Sequence, residues 1–150
     1  MLDRYESFTV TILKIHRAIQ KIKSEEMAEY NLKLHHVSCI YYLFKEGSLT
    51  ATELRDICGE DKAYISHSLK YLEENGYISC SSNAKKRYNA PFSLTEKGLE
   101  IGSHVASKID AVLEPAGEGM NDAEREVFYR CLNLISNNLE QICEKYNKNN

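Results

Sequence analysis

The sequence predicts a mainly α fold with one small β-hairpin. Three observations predict it. Apolar residues recur at alternating spacings of three and four along most of the chain, the period of an amphipathic helix. Two short helical patterns meet at Gly59 with room only for a tight turn. Two strand-like stretches then bracket the polar, basic segment Ser82-Asn-Ala-Lys-Lys-Arg87, as a hairpin with a charged tip would. The 150 residues fit a single domain, and 43% apolar residues are enough for a core. Two prolines and seven glycines argue against a loop-rich or all-β chain.

The first stripe is Leu2, Tyr5, Phe8, Ile12, Ile15, Ile19 and Ile22, with Arg4, Lys14, Gln20 and Lys23 on the other face. A second helix is expected over Leu34 to Lys45, stopped by Gly47. Thr50-Ala-Thr-Glu53 has the spacing of a capping box and opens a short helix with Leu54 and Ile57 inward and Gly59 at its end. Asp61 caps the next helix, whose buried face is Ile65, Leu69 and Leu72 and whose stop is Gly76. Tyr77 to Cys80 is the first hairpin strand. Tyr88 to Leu94 is the return, weakened by Pro91, which has no N–H for a ladder. Thr95 caps a long helix stopped near Pro115, and Asn121 caps a last helix to about Tyr146. Helix, turn, helix and hairpin in this order make a winged helix-turn-helix, flanked by N- and C-terminal dimerisation helices. The expected organisation is a single winged-helix domain over 1–150. Residues 34–98 form the DNA-binding part, and 1–30 and 100–148 supply the dimerisation helices.

Charge points the same way. The whole chain is −3, yet Lys62 to Arg87 holds five basic and two acidic residues, leaving the remainder at −6. An acidic protein with its positive charge gathered on one helix and one hairpin tip has the layout of a DNA reader. A solvated surface face is the plainer alternative for any charge run. The helix after Asp61 has the size to enter a major groove, and its outward residues are Lys62, Ala63, Tyr64, Ser66, His67 and Lys70. Ser66, His67 and Tyr64 suit base edges or phosphate, Ala63 a thymine methyl, and Lys62 and Lys70 phosphate. Tyr64 has an equal claim to a packing role. Thr50 and Thr52 stand where a helix N-terminus meets phosphate, although capping alone accounts for Thr50. Lys85, Lys86 and Arg87 form the wing tip.

Both terminal stripes are long, and one small core cannot bury them. A second copy of the chain can, through Tyr5, Phe8, Ile12 and Ile15 at one end and Ile135, Leu139 and Ile142 at the other. A helical layer within a monomer is the alternative.

Leu49-Thr-Ala-Thr-Glu-Leu, Asp61-Lys-Ala-Tyr-Ile-Ser, Leu72-Glu-Glu-Asn-Gly-Tyr-Ile78 and Leu94-Thr-Glu-Lys-Gly98, at these separations, resemble the MarR family of bacterial transcription regulators. The resemblance covers nearly the whole chain. It implies a winged-helix dimer on a pseudo-palindromic operator, acting as a repressor. Release would follow the binding of a small aromatic or phenolic effector, or oxidation. It also implies an effector cleft between the dimer helices and the winged part, near His16, His36, Tyr41 and Tyr42. Plain packing is the competing role for each of these four. Two positions depart from the family. His67 stands where an arginine is frequent, and Lys86 and Tyr88 occupy the places of the wing's Asp-x-Arg pair, with Arg87 or Lys85 as the available substitutes.

Other classes find little support. No GxSxG, GxxxxGK, HExxH or GxGxxG occurs, so no enzyme is expected. No cofactor is expected apart from the effector. Five cysteines without CxxC, and five scattered histidines, give no zinc spacing and no expected metal site. The thiols fit a reducing compartment, with Cys58 and Cys80 the better redox candidates. No apolar run reaches membrane-spanning length and no secretory start is visible, so a cytoplasmic location without membrane partners is expected. A winged-helix module that binds protein instead of DNA is the alternative function.

Overall fold

The computed structural model describes residues 3–4, 6–81 and 89–148. Leu2, Tyr5, the wing-tip residues Lys85, Lys86 and Arg87, and Tyr88 lie outside the described residues. A π-helical stretch, Glu6–Val10, leads into α1 (Thr11–Met27), and a 3-10 turn, Ala28–Tyr30, follows it. Then come α2 (Leu34–Glu46), β1 (Ser48–Leu49), α3 (Ala51–Cys58), α4 (Lys62–Glu74), β2 (Ile78–Cys80), β3 (Phe92–Leu94), α5 (Glu96–Ala116) and α6 (Asp122–Lys148). The chain divides into two compact units, Met1–Ile109 and Asp110–Asn150.

Local chemistry sets the element ends in the first unit. Gly47, Gly59 and Gly76 all take positive φ, as helix stops require. Thr50 makes the expected capping box. Its Oγ1 accepts from the Glu53 N–H at 3.3 Å, while its own N–H donates to Glu53 Oε2 at 2.7 Å. The Thr50 N–H and then the Thr50 hydroxyl, which both donate to Glu53 Oε2, hold the Glu53 carboxyl below its usual range. Asp61 accepts from the Tyr64 N–H at 2.9 Å and opens α4. Ile40, Leu43, Leu54, Ile65 and Leu72 are almost fully buried, joined by Val105 from α5.

The small sheet has the order β1-β3-β2, with Ser48 opposite Ser93 and Ile78 opposite Leu94, both pairings antiparallel. The expected hairpin is therefore β2 and β3 of a three-stranded sheet. Its return strand begins at Phe92, not at residue 88, because Pro91 has no N–H to give the ladder. Pro91 still accepts from the Ser81 N–H through its carbonyl, at 3.1 Å.

The LEENGY and LTEKG phrases meet in space. Thr95 Oγ1 donates to the Gly76 carbonyl at 2.6 Å and accepts from the Gly98 N–H at 3.1 Å. Lys97 Nζ donates to the Asn75 carbonyl at 2.9 Å and lies 4.2 Å above the Tyr77 ring. A Cβ at position 98 would collide with the Tyr77 carbonyl oxygen, so that glycine is a requirement of the close approach. These contacts fix the end of α4 against the start of α5.

One expected orientation is reversed. Ile57 is 42% exposed instead of inward. In an eight-residue helix Leu54 and Cys58, four apart, take the core face, and Ile57 falls about 100° away. Helix α5 runs through Pro115 to Ala116, since a proline in the last turn forfeits a single helix bond. Helix α1 extends past Ile22 to Met27, its one buried residue. Lys108 of α5 holds that end of α1 through Glu26 at 2.8 Å and Glu29 at 3.3 Å.

In the second unit, Asn121 and Glu124 form a capping box at 2.9 and 3.0 Å that opens α6. Among the described residues, α6 has no buried side chain. No helix is long and apolar enough to cross a membrane.

Candidate nucleic-acid interface

Helix α4 presents two faces set by its sequence. Ile65, Ser68, Leu69 and Leu72 are buried. Lys62, Ala63, Tyr64, Ser66, His67 and Lys70 are all exposed, as expected of a helix that reads a groove. Ser68 belongs to the buried face although it is polar, because its hydroxyl donates to the Tyr64 carbonyl at 2.7 Å. Tyr64 is 53% exposed. One edge of its ring meets His35 of α2, centroid to centroid at 5.7 Å.

Helices α3 and α4 enclose an open groove of about 470 Å³. Ile65, Leu69 and Phe92 form its floor, and Thr52, Lys62, Ser66 and Lys70 stand among its walls. Four of the residues expected at DNA therefore line one depression. Thr50 serves as the cap described above. Arg55 also lines the groove and was not expected. Its guanidinium donates to Asp56 at 2.7 and 2.9 Å. On a short helix this charged pair reads in the sequence as a solvated face. Its position three residues after Thr52 is the signal that could have found it.

The charges on this face are mostly engaged with each other. Lys70 lies 3.9 Å from Glu74 with both side chains well exposed, and the Arg55–Asp56 pair is exposed too. Exposed pairs of this kind contribute little, so a phosphate can replace the carboxylate at small cost.

The four residues assigned to an effector cleft fall into different neighbourhoods among the described residues. His16 is exposed on α1, where Gln20 Nε2 lies 3.5 Å from its Nε2. His36 is 3% exposed and stacks on Tyr71 with centroids 4.2 Å apart. Its Nδ1 accepts from the Lys33 N–H at 3.1 Å, and burial pushes its pKa down from 6.5 to about 4. Tyr41 and Tyr42 are half-buried and meet edge to face at 5.3 Å, and Lys45 sits over the Tyr41 ring at 5.6 Å. His36 is thus a packed core histidine that also helps to cap α2. No group of three or more His, Cys, Asp or Glu side chains among the described residues could hold a metal ion.

The terminal helices expose the stripes assigned to a dimer. On α1 and its π-helical lead-in, Phe8, Ile12 and Ile15 are 40%, 41% and 46% exposed. On α6, Leu139 and Ile142 are exposed and Ile135 is half-buried.

Residues 36–113, just over half of the chain, match a family model described as a winged helix DNA-binding domain. No curated protein matches. Solved structures match over nearly the full length. A MarR family regulator from Neisseria meningitidis is 17% identical with a TM-score of 0.81, covering 96% of this chain and 99% of that one. A MarR family regulator from Listeria monocytogenes, solved with a 26-mer DNA, is 24% identical with a TM-score of 0.78, covering 93% and 90%. MarR from Staphylococcus aureus, solved with salicylate and kanamycin, is 18% identical with a TM-score of 0.77, covering 91% and 92%. The chain belongs to the winged helix DNA-binding domain family, and its fold is the fold of the MarR regulators.

Proposed function

We propose that the protein is a sequence-specific transcriptional regulator. In this reading it binds a pseudo-palindromic operator as a homodimer and acts as a ligand-responsive repressor in the cytoplasm. The carrying observation is the outer face of α4. Six polar or small side chains stand exposed over a fully buried apolar stripe, beside a groove whose walls carry Thr52 and Arg55. Such a helix inserts as a rigid body, because the stripe fixes its orientation before DNA arrives. Ser66 and His67 are the base readers, and Lys62, Lys70 and Arg55 hold phosphates.

The homodimer rests on the exposed stripes of α1 and α6, which a second copy would cover, and a twofold dimer matches two half-sites one helical turn apart. The effector reading leans on the salicylate bound by the Staphylococcus aureus protein. A small aromatic acid would release DNA if it bound one spacing of the two reading helices better than the other.

The test is the salt dependence of duplex binding. A regulator neutralising several phosphates loses affinity with a log–log slope of about −0.9 per contact. Lys62→Ala should flatten that slope by about one unit and weaken all sequences alike. A duplex affinity indifferent to salt would remove the DNA reading and leave the protein-interaction module.

A further inference from the structure

Two tyrosines of α4 and two histidines of α2 meet in one row of rings. Tyr64 and Tyr71 are seven residues apart, so they share an edge of α4, about 10.5 Å apart along its axis. His35 and His36 are adjacent in the first turn of α2. His36 stacks flat on Tyr71, with centroids 4.2 Å apart and planes 3° from parallel. His35 meets His36 edge to face at 4.4 Å, and meets Tyr64 edge to face at 5.7 Å. The row runs from Tyr71 and the buried His36, through the half-buried His35, to the exposed Tyr64.

The inner end of the row is anchored. The Tyr71 hydroxyl donates to the Asn31 carbonyl at 3.1 Å, and His36 Nδ1 accepts from the Lys33 N–H at 3.1 Å. These bonds fix the start of α2, and with it His35, against the middle of α4. The outer end is fixed through its backbone. The Tyr64 N–H donates to Asp61 at 2.9 Å, and its carbonyl accepts from the Ser68 hydroxyl at 2.7 Å. The two tyrosines then differ. Tyr71 is half-buried and gives its hydroxyl to the chain, while the Tyr64 hydroxyl has no hydrogen-bond partner among the described residues. The inner pair is closed on itself, and the outer pair holds a ring but leaves its donor open.

We propose that the Tyr64 hydroxyl donates to an acceptor oxygen or nitrogen of the duplex, and that His35 is the residue that positions it. This deepens the function proposed above and rests on it. Tyr64 lies in the first turn of α4, the end of a reading helix that meets base edges and phosphates. A tyrosine there is long enough to reach either, provided that its ring stands in the right rotamer.

The positioning works through conformational entropy. On a helix an exposed tyrosine has two χ1 wells open to it, near 180° and −60°. The edge contact with His35 exists in only one arrangement of the ring and favours that one. Tyr64 is therefore ordered before DNA arrives, and the cost of ordering it no longer counts against binding. His35 acts from α2, outside the α3–α4 pair that forms the interface, so it supports the contact without making it.

The experiment is a double-mutant cycle on the full-length protein, with affinity measured on a duplex selected from a random pool. His35→Ala should weaken binding about tenfold in the parent and change it by less than about twofold in Tyr64→Ala. His35→Phe keeps a ring edge beside Tyr64 and should stay within about twofold of the parent. Tyr64→Phe should weaken binding on all sequences alike where the acceptor is a phosphate, and at one base pair where it is a base edge. Melting curves establish folding, and His35→Gln replaces His35→Ala in the cycle should the alanine variant not fold. Without DNA, NMR cross-relaxation between the ring protons of His35 and Tyr64 should be present. An equal loss from His35→Ala with and without the Tyr64 ring overturns the positioning role, as does an absent cross-relaxation. Unchanged affinity in Tyr64→Phe overturns the hydroxyl contact. A folded protein that binds no duplex overturns the proposed function and that contact with it, while the cross-relaxation still decides whether His35 holds the ring.

Discussion

Helices α4 and α6 carry the same three-and-four apolar spacing and treat it in opposite ways. On α4, Ile65, Leu69 and Leu72 are 2%, 5% and 0% exposed. On α6, Phe128, Leu139 and Ile142 are 42%, 47% and 45% exposed. Periodicity states which face of a helix is apolar; it does not state what covers that face. For α4 the cover is α2, α3 and the small sheet, all within eighty residues of chain. For α6 the stripe stays open along 27 residues. Leaving several large apolar side chains in water forgoes roughly 1.5–3 kcal/mol for each, which is why a second copy is the cover we assign.

The contrast predicts different failures. Leu72→Ala opens a cavity in a packed core and should cost about 2–5 kcal/mol of unfolding free energy in urea, at any protein concentration. Leu139→Glu combined with Ile142→Glu should leave the winged part folded. It should convert the dimer to monomer in sedimentation and abolish the concentration dependence of Tm. An α6 variant destabilised equally at all concentrations would place that stripe inside one chain and end the contrast.

A pH effect follows from His36. Its folded pKa, about 4, lies below the ordinary 6.5, so the neutral ring is the form the fold accepts. The unfolded chain binds the extra proton between those values. Its contribution is therefore whole above pH 6.5 and is lost progressively as pH falls towards 4. Protonation also ends the acceptance of the Lys33 N–H by Nδ1. Urea midpoints taken at several pH values should fall over this window in the parent and fall less in His36→Gln. Smallest is the cap: Thr50→Ala should lower stability by about 1 kcal/mol, because it removes one satisfied N–H at the start of α3.

Features encoded within a few residues were legible in the sequence. The caps at Thr50, Asp61 and Asn121, the glycine stops, and the inward face of α4 all depend on neighbours one turn away. Features that depend on partners far along the chain were not. Strand β1 is two residues long and exists only because Phe92 and Ser93 pair with it. The outward turn of Ile57 depends on which face of a short helix meets the core. Arg55 is recognisable as part of the interface only once α3 lies beside α4. The cleft assigned to His16, His36, Tyr41 and Tyr42 came from resemblance, and the packing of His36 against Tyr71 gives that residue a different task.

The central claim is that the exposed face of α4 reads base sequence as part of a twofold dimer. Selection of bound duplexes from a random pool, at near-physiological salt with purified protein, tests it most directly. The account predicts an inverted repeat whose half-sites are separated by about one helical turn, 10–10.5 base pairs centre to centre. A folded, dimeric and reduced protein that enriches no motif would contradict it.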